Sequence, residues 1–273
     1  MQYQTFPPCA DLAPVVKCYW SLEIPAQKDV HRQRIVPDGC IELAFILGDD
    51  IKRYTSNDEY ILQPRAMVLG QTIDPFYIEP TGYVNTFAIR FYPYGFSNFV
   101  TVPIKNLANK ETALSILLGN DTAGSLQQKI TCAPGTKERI EIVEAFLLEK
   151  LSEKSTIDHI VKKTVETLMA TKGKKGINSI VEKEELNRRQ LERKFSSQVG
   201  VSPKQLGKVI RLQAALKMLL EQSNETLTSI AYESEYYDQA HFIKDFKEFT
   251  GTTPKDFLQD ESLALSTIFY KEN

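Results

Sequence analysis

Two stretches of this chain decide its fold: Leu186-Asn-Arg-Arg-Gln-Leu-Glu-Arg-Lys-Phe-Ser-Ser-Gln-Val-Gly-Val-Ser-Pro-Lys-Gln-Leu206 and Tyr237-Asp-Gln-Ala-His-Phe-Ile-Lys-Asp-Phe-Lys-Glu-Phe-Thr-Gly-Thr-Thr-Pro-Lys-Asp-Phe257. The second aligns with the first without a gap, at an offset of 51 residues. An internal repeat of this kind indicates one structural unit that the chain uses twice.

Signals for the start and end of a helix recur at equivalent positions in the two copies. Asn187 and Asp238 carry side-chain oxygens that can cap the first free amides of a helix. Gly200 and Gly251 suit the left-handed residue that ends a helix. A hydroxyl residue followed by proline then starts the next helix, at Ser202-Pro203 and at Thr253-Pro254.

The helix predicted in each copy has one apolar side and one outward side. At about 100° per residue, Leu191 and Phe195 share one side of the first helix, opposite Arg189 and Arg193. The second helix follows the same pattern, with Phe242, Phe246 and Phe249 inward and Ala240, Lys244 and Lys247 outward. Such helices bury one side and present the other to a partner.

A short apolar helix is predicted before each copy, over residues 177–184 and 228–234. A short helix, a tight turn and a capped helix with a cationic outer side form the helix-turn-helix layout, whose second helix enters the DNA major groove. Residues 203–221 are predicted as one long helix, which separates the two units by roughly 30 Å. Because a turn of DNA spans about 34–36 Å, the two units could reach successive major grooves. The alternative is a helical bundle whose repeat reflects only a stable motif.

The repeat resembles the AraC/XylS-type transcriptional regulators over roughly residues 165–260. The resemblance is carried by Arg189-Gln-Leu-Glu-Arg-Lys-Phe, Gly200-Val-Ser-Pro, Arg211-Leu-Gln-Ala-Ala-Leu, Asp238-Gln-Ala-His-Phe and Gly251-Thr-Thr-Pro. It implies two helix-turn-helix units that read adjacent major-groove segments near promoters. By position, and by the outward sides of the helices, the DNA-binding candidates are Arg188, Arg189, Glu192, Arg193, Ser196, Gln239, Ala240, Lys244 and Lys247.

The charge is distributed unevenly over the repeat. The whole chain has 33 Lys and Arg, 35 Asp and Glu and a formal charge of −2, so it lacks the basic balance that is usual in nucleic-acid binders. Residues 186–220, however, carry eight basic side chains and one acid, whereas residues 221–260 carry nine acids and three lysines. Because phosphate neutralisation requires cations, we expect the first unit to supply most of the affinity for DNA and the second to contribute weakly.

One position departs from the family pattern. Where the family usually has glycine in the turn before the second recognition helix, this chain has Glu235, followed by Tyr236. A residue other than glycine at positive φ costs on the order of 1 kcal/mol, so we expect this turn to adopt a different geometry.

Short apolar runs separated by turn residues predict a β-rich N-terminal region. Strands are predicted over residues 19–24, 34–36, 41–47, 51–54, 60–62, 67–69, 76–78 and 84–92, and helices over 137–151 and 156–170, with Thr156 as the cap of the latter. The predicted fold class is α+β: a β-barrel or jelly-roll-like domain with flanking helices, then an all-α domain of two helix-turn-helix units joined by a long helix. We assign residues 1–155 to a sensor domain, 156–260 to the DNA-binding domain and 261–273 to a C-terminal tail.

The N-terminal region resembles the sensor domain of one branch of that family, in Pro37-Asp-Gly-Cys-Ile-Glu-Leu, Val68-Leu-Gly-Gln and Arg90-Phe-Tyr-Pro-Tyr-Gly. Strand alternation places Glu42 and Arg90 on faces lined by smaller side chains, as in a ligand cavity. We therefore name Arg34, Glu42, Arg90 and Tyr92 as effector-binding candidates. The alternative is that these charged groups face solvent or pair with one another. Similarly, the apolar stripe of the helix over 137–151 fits packing on its own domain better than a dimer interface.

Other classes of protein fit less well. Cys9, Cys18, Cys40 and Cys132 are scattered, and neither they nor the three histidines have the spacing of a metal site. No run approaches the roughly 20 apolar residues of a membrane span, and the N-terminus does not look like a secretory signal, so we expect a cytoplasmic protein. A cupin-type enzyme is the main alternative, although only His31 lies in the β-rich region. An adaptor that has lost DNA binding is a third interpretation, favoured only by the acidic second unit.

The expected partners are double-stranded DNA, a small-molecule effector, a second copy of the chain and RNA polymerase. No catalytic residue, metal, cofactor or membrane partner is predicted.

Overall fold

The computed structural model describes residues 1–27, 31–56, 59–153, 157–174, 187–221, 226–234, 236 and 238–271. Within these residues, the N-terminal part contains ten strands in two antiparallel sheets. The strands are β1 Gln2–Phe6, β2 Val16–Ile24, β3 Gln33–Ile35, β4 Ile41–Ile46, β5 Ile51–Tyr54, β6 Tyr60–Leu62, β7 Ala66–Leu69, β8 Phe76–Pro80, β9 Val84–Phe91 and β10 Glu111–Ala113. The larger sheet has the strand order β1-β2-β9-β4-β7-β10, and the smaller sheet has the order β3-β8-β5-β6.

Over the described residues the two sheets do not close into a barrel, which corrects the barrel predicted from the sequence. β1 and β10 are the edge strands of the larger sheet, and β3 and β6 are the edge strands of the smaller one. A closed barrel would require the edges of the two sheets to hydrogen-bond to each other. In the part of the chain that the structure describes, none of these four edge strands pairs with a strand of the other sheet.

The alternation predicted for β4 and β9 is present, and it buries both faces of the larger sheet. Leu43, Phe45 and Phe87 lie on one face, in a core shared with the helices that follow the sheet. Ala44 and Ala88 lie on the other face, which is directed toward the smaller sheet. We call the space between the two sheets the cleft; its apolar lining includes Trp20, Leu22, Ala44, Ile46, Ile51, Met67, Val84 and Ala88.

The helices follow the sheets in the chain. They are α1 Leu114–Leu118, α2 Asn120–Cys132, α3 Thr136–Glu153, α4 His159–Ala170, α5 Arg188–Val199, α6 Pro203–Glu221, α7 Leu227–Glu233, α8 Gln239–Thr250, α9 Pro254–Phe257 and α10 Ala264–Lys271. Short 3-10 helices lie at Gly95–Asn98, Ile104–Leu107 and Glu261–Leu263. α3 packs on its own domain, because Val143 and Leu147 are buried in the core beneath the larger sheet.

α6 connects the two cores of the helical part. Near its start, Leu206 packs with Val161 of α4 and Phe195 of α5. Further along, Leu216 packs with Phe246 of α8. The long helix predicted over 203–221 therefore has its predicted bounds and supports both units.

Several local expectations differ from the structure or lie outside it. The helix predicted over 156–170 begins at His159, and its cap is Asp158, whose Oδ1 accepts a 3.0 Å hydrogen bond from the Ile160 amide. Thr156, the predicted cap, and the helix predicted over 177–184 lie outside the described residues. The sequence patterns did not predict β1, β10, α2 or α10. The segment assigned to a tail thus contains a helix.

Candidate nucleic-acid interface

α5 is capped at both ends as its sequence predicts. The Asn187 side chain accepts a 2.9 Å hydrogen bond from the Arg189 amide, which satisfies one of the first free donors of the helix. Gly200 ends the helix at a φ of 96°. Leu191 and Phe195 are buried between these two caps. This packing fixes which side of α5 faces outward.

The outward side of α5 carries the five residues predicted for the first unit. Arg188, Arg189 and Arg193 are exposed, and Glu192 and Ser196 are half-buried. The Arg188 Nε atom lies 3.0 Å from a carboxylate oxygen of Glu192. Among the residues that the structure describes, no carboxylate lies within ion-pair distance of Arg189 or Arg193. These two guanidinium groups are therefore the strongest candidates for phosphate and base contacts.

Another cationic side chain of the first unit, that of Lys194, forms an ion pair within the protein. Lys194 Nζ lies 2.7 Å from a carboxylate oxygen of Asp158, at the start of α4. Burial would raise the pKa of the Asp158 carboxyl, but the hydrogen bonds from Lys194 and the Ile160 amide outweigh this effect and lower the pKa. Lys194 thus joins α5 to α4 rather than extending the cationic outer side.

In the first half of α6, too, some cationic side chains make contacts within the protein and others are exposed. Lys208 Nζ lies 3.3 Å from Asp245 and 3.4 Å from Glu248, both of α8. The Arg211 guanidinium lies 5.1 Å from the centre of the Tyr236 ring. Lys204, by contrast, is exposed. Only part of the positive charge of residues 186–220 is therefore directed outward.

α8 repeats the caps of α5. The Asp238 side chain accepts a 2.7 Å hydrogen bond from the His241 amide, and Gly251 ends the helix at a φ of 75°. Phe242 and Phe246 are buried, with their ring centres 5.6 Å apart. The residues predicted to face DNA are all exposed: Gln239, Ala240, Lys244 and Lys247. The second unit therefore also presents its predicted outer side.

Several acidic side chains around α8 form ion pairs or cap a helix within the protein. Asp245 is only 3% exposed and lies against Lys208 and His241. Asp238 caps α8, and an Asp260 oxygen lies 3.4 Å from Arg34 Nη1. The net charge of residues 221–260 consequently overstates how acidic the outer side of α8 is.

The turn before α8 is described at only some of its positions. The Tyr236 amide donates a 3.0 Å hydrogen bond to the Ala231 carbonyl, and its ring packs against Phe242 with a centre-to-centre distance of 5.2 Å. Glu235, where the sequence departs from the family pattern, lies outside the described residues.

Glu42 and Arg90, two of the effector candidates, meet inside the protein. They are paired across β4 and β9, and Arg90 Nε lies 2.6 Å from a Glu42 oxygen. Arg90 Nη2 lies 3.3 Å from Asp38, and Trp20 Nε1 donates a 3.0 Å hydrogen bond to Glu42. These polar groups form a small cluster at the cleft, which we call the Arg90 cluster.

Burial and charge act against each other in the Arg90 cluster. Burial opposes the charge on Arg90, but the carboxylates of Glu42 and Asp38 outweigh it and raise the pKa of the guanidinium well above its ordinary value. Burial also raises the pKa of the Glu42 carboxyl, against the opposing effect of Arg90. The positive charge of Arg90 is therefore compensated by the two carboxylates beside it.

Arg34 and Tyr92 lie away from the Arg90 cluster, at contacts with the helical part. Arg34 Nη1 donates a 3.1 Å hydrogen bond to the carbonyl of Thr250, the last residue of α8. Tyr92 stacks on Tyr94 with ring centres 6.1 Å apart, beside the core that contains Phe195. The structure thus brings together two of the four effector candidates.

Three residues of the cleft are absent from the sequence-based candidates. Trp20 bonds to Glu42, and Leu265 and Phe269 of α10 belong to the same apolar cluster as Trp20. The spacing of four residues between Leu265 and Phe269 is the helical signal that could have identified them.

Comparison with known proteins supports the assignment of the C-terminal part. A model of the helix-turn-helix domain matches residues 180–260, and a model described as a domain of unknown function, DUF6597, matches residues 4–113. An uncharacterised HTH-type transcriptional regulator of Haemophilus influenzae is 33% identical over 87 residues, which are 32% of this chain and 29% of that protein.

Residues 180–260 form a helix-turn-helix domain of the AraC/XylS type. This AraC/XylS-type domain contains both α5 and α8, together with their caps and outward sides. Its presence favours a transcriptional regulator over the cupin-type enzyme. The chain spans less than a third of the length of the Haemophilus influenzae relative, so the match concerns this domain alone.

Solved structures of ToxT from Vibrio cholerae are also similar to this chain. One, at 1.65 Å resolution, has a TM-score of 0.48 at 12% identity and covers 95% of this chain and 98% of ToxT. Another, with (E)-4-(8-methylnaphthalen-1-yl)but-3-enoic acid bound to ToxT, has a TM-score of 0.49 at 15% identity and covers 95% and 99%.

The described residues lack both a membrane-spanning helix and a cluster of metal ligands. None of their helices combines the length and the apolar character needed to cross a membrane. In the same parts of the chain, no three His, Cys, Asp or Glu side chains come together as a group that could hold a metal ion.

Proposed function

We propose that this chain is a sequence-specific transcriptional regulator that binds double-stranded DNA through α5 and α8. The observation that carries the proposal is the repeated unit within the AraC/XylS-type domain. Each copy has a capped helix with a buried apolar side and an exposed polar side, and α6 joins the two. The 19 residues of α6 span roughly 28 Å, which is close to the 34–36 Å of one DNA turn.

The two helices would make different contributions to binding. Arg189 and Arg193 supply the principal cationic contacts, with Arg188, Glu192 and Ser196 beside them on the same side of α5. On α8, Gln239 and Ala240 lie in the first turn, where recognition helices read base edges, and Lys244 and Lys247 approach the phosphates. Apart from Arg188, which pairs with Glu192, each outward side carries two exposed cations. Those of α5 are arginines, whose planar guanidinium groups can bind phosphates and base edges in a bidentate way, so α5 contributes the larger share of affinity.

The domain boundaries follow this division of roles. Residues 1–155 form the sensor domain and 156–260 the DNA-binding domain, with α4 in the latter because Val161 packs against Phe195. A second copy of the chain and RNA polymerase are the protein partners that fit a regulator of this kind.

The sensor domain would take a small-molecule effector in the cleft. The Arg90 cluster provides its polar end, through Glu42 and Arg90. Arg34 and Tyr92 lie at the contact with the helical part, so they would transmit the effect of the ligand rather than bind it.

Selection of genomic DNA fragments by the purified full-length chain tests the central proposal. We expect enriched fragments to contain two half-sites about 10 bp apart. A matched duplex with about 5 bp inserted between the half-sites turns the second onto the opposite side of the helix, and should bind about as weakly as a single half-site. Fragments without a shared sequence, or binding that is unchanged by the insertion, would contradict the proposal.

A further inference from the structure

α10 occupies the cleft between the two sheets. Leu265 is 5% exposed and belongs to the apolar cluster of the cleft. The ring of Phe269 lies 5.4 Å from the ring of Trp20 and 5.5 Å from that of Tyr3. Its centre is also 5.9 Å from the Arg90 guanidinium. α10 therefore lies beside the Arg90 cluster, where we place the effector.

α10 does not fill the space that it occupies. A pocket of about 220 Å³ borders Ala264 and Leu265, one of about 90 Å³ borders Leu265 and Phe269, and one of about 50 Å³ borders Ser266 and Phe269. All three pockets are partly open to solvent, so α10 covers only part of the cleft. Because each gap removes packing contacts from the helix, the free energy needed to move α10 out of the cleft is lowered.

Side-chain hydrogen bonds attach α10 to β3, an edge strand of the smaller sheet. The Ser266 hydroxyl donates to the Arg34 carbonyl at 2.8 Å and accepts from the Val36 amide at 3.2 Å. The Leu265 amide donates to the Gln33 side chain at 3.3 Å. Ser266 thus satisfies backbone groups that a neighbouring strand would otherwise pair.

β3 and the residue that follows it hold the second helix-turn-helix unit. Arg34 bonds to the last carbonyl of α8, and Val36 is buried in the core of α6 and α8. Ile35, between them, packs in the cleft. The chain shows the same arrangement where it enters α10, since Leu263, just before the helix, is in the core of α6 and α8 and Leu265 is in the cleft. Two adjacent segments therefore connect the cleft to the second unit.

We propose that α10 is a built-in occupant of the effector cleft and a latch on the second helix-turn-helix unit. An apolar ligand that enters the cleft would displace Leu265 and Phe269, break the contacts of Ser266 with β3 and loosen the hold of β3 on α8. A looser hold on α8 should in turn change the affinity for DNA, and this expectation rests on the function proposed above. The displacement of α10 does not depend on that function.

The first experiment measures binding of Nile red, a neutral apolar dye, to the full-length chain. The double variant Leu265→Ala/Phe269→Ala enlarges the cleft, and we expect it to bind the dye about tenfold more tightly than the unmodified chain. The matched control Tyr232→Ala/Leu258→Ala removes two exposed apolar side chains outside the cleft and should bind the dye like the unmodified chain. A double variant that is folded by circular dichroism but binds the dye no more tightly would show that α10 is not an occupant.

The second experiment tests the latch on the unmodified chain, so it does not depend on the folding of a variant. Saturation with Nile red should accelerate amide hydrogen exchange at Val36 and Leu265 about tenfold, as followed by NMR. Ser266→Ala should accelerate exchange at Val36 and, because it weakens contacts that the dye must break, should tighten dye binding by less than the double variant does. Dye binding that leaves both exchange rates unchanged would overturn the latch.

DNA binding is measured separately, with and without the dye. If dye binding and exchange change as expected but the chain binds no DNA, the proposed function fails while the latch stands. If the chain binds DNA and exchange does not respond to the dye, the latch fails while the proposed function stands.

Discussion

The two helix-turn-helix copies have the same internal design but different surroundings. α5 and α8 share an N-terminal cap, a buried apolar side and a glycine in the left-handed conformation at the end. α5, however, packs beside the 3-10 helix Ile104–Leu107 of the N-terminal part, whereas α8 is held by Arg34, the central residue of β3. A repeated sequence therefore specifies a repeated unit, while the position of each copy in the fold determines what it touches.

The copies also differ in how their charges are used. In α5, Arg189 and Arg193 point outward without an ion-pair partner among the described residues. Near α8, Asp245 and Glu248 neutralise Lys208. Charges counted along the sequence indicate a basic first unit and a strongly acidic second one. The outward surfaces of the two units differ less in charge, because some cations of the first unit and some acids of the second form contacts within the protein.

The largest expected effect tests whether both units depend equally on their apolar cores. Phe195→Ala and Phe246→Ala should each lower the free energy of unfolding by about 3–5 kcal/mol, because both rings are fully buried. Urea denaturation followed by circular dichroism measures the loss. The exposed Leu258→Ala is the control and should stay within about 0.5 kcal/mol. A loss below about 1 kcal/mol at either phenylalanine would show that the units are not equivalent in packing.

The next effect concerns DNA affinity and should separate the two units. Arg189→Ala/Arg193→Ala should weaken binding to a selected site about 100-fold and reduce the salt dependence by about two phosphate contacts. Lys244→Ala/Lys247→Ala should weaken it less than about tenfold. Fluorescence anisotropy at several salt concentrations gives both quantities.

The control for those charge changes is Lys110→Ala/Lys137→Ala, which removes two exposed cations of the N-terminal part. It should leave the affinity for DNA nearly unchanged. Binding that collapses on Lys244→Ala but survives loss of Arg189 and Arg193 would reverse the proposed roles of the two units.

A smaller effect tests the different surroundings of the two terminal glycines. Alanine is strained at both, because φ is 96° at Gly200 and 75° at Gly251, and each change should cost about 1–2 kcal/mol. The loss should be larger at Gly200, where an added Cβ would lie 3.1 Å from Ile104 Cγ2, than at Gly251, where the nearest atom would be 3.6 Å away. Gly124→Ala in α2, with open space around it, should instead stabilise the chain. Equal losses at Gly200 and Gly251 would mean that Ile104 moves aside freely.

The smallest effect concerns the N-terminal caps, where the copies should behave alike. Asn187→Ala and Asp238→Ala each remove one side-chain acceptor and should cost about 1 kcal/mol in thermal or urea unfolding. Asp238→Asn retains an acceptor and should cost much less. If the asparagine variant loses as much as the alanine variant, the carboxylate charge rather than the cap stabilises α8.

Strand alternation predicted part of the sheet domain. It placed Glu42 and Arg90 on strand faces that are directed into the cleft. The alternative prediction, that the two side chains pair with each other, matches their observed contact. It did not show that the sheets remain separate, because closure depends on which edges meet in space. The sequence predicts one pocket lined by all four effector candidates, whereas the fold places Arg34 and Tyr92 at contacts with the helical part.

The sequence by itself determined the repeat, the caps at Asn187 and Asp238, the terminal glycines and the bounds of α6. These features depend on hydrogen bonds and side-chain packing within a few residues, so local pattern is sufficient to predict them. The tertiary structure decided which charges face outward and what fills the cleft. Lys208 meets Asp245 across 37 positions, and Ser266 meets Arg34 across 232. Such contacts depend on how distant elements pack, and no local period encodes them.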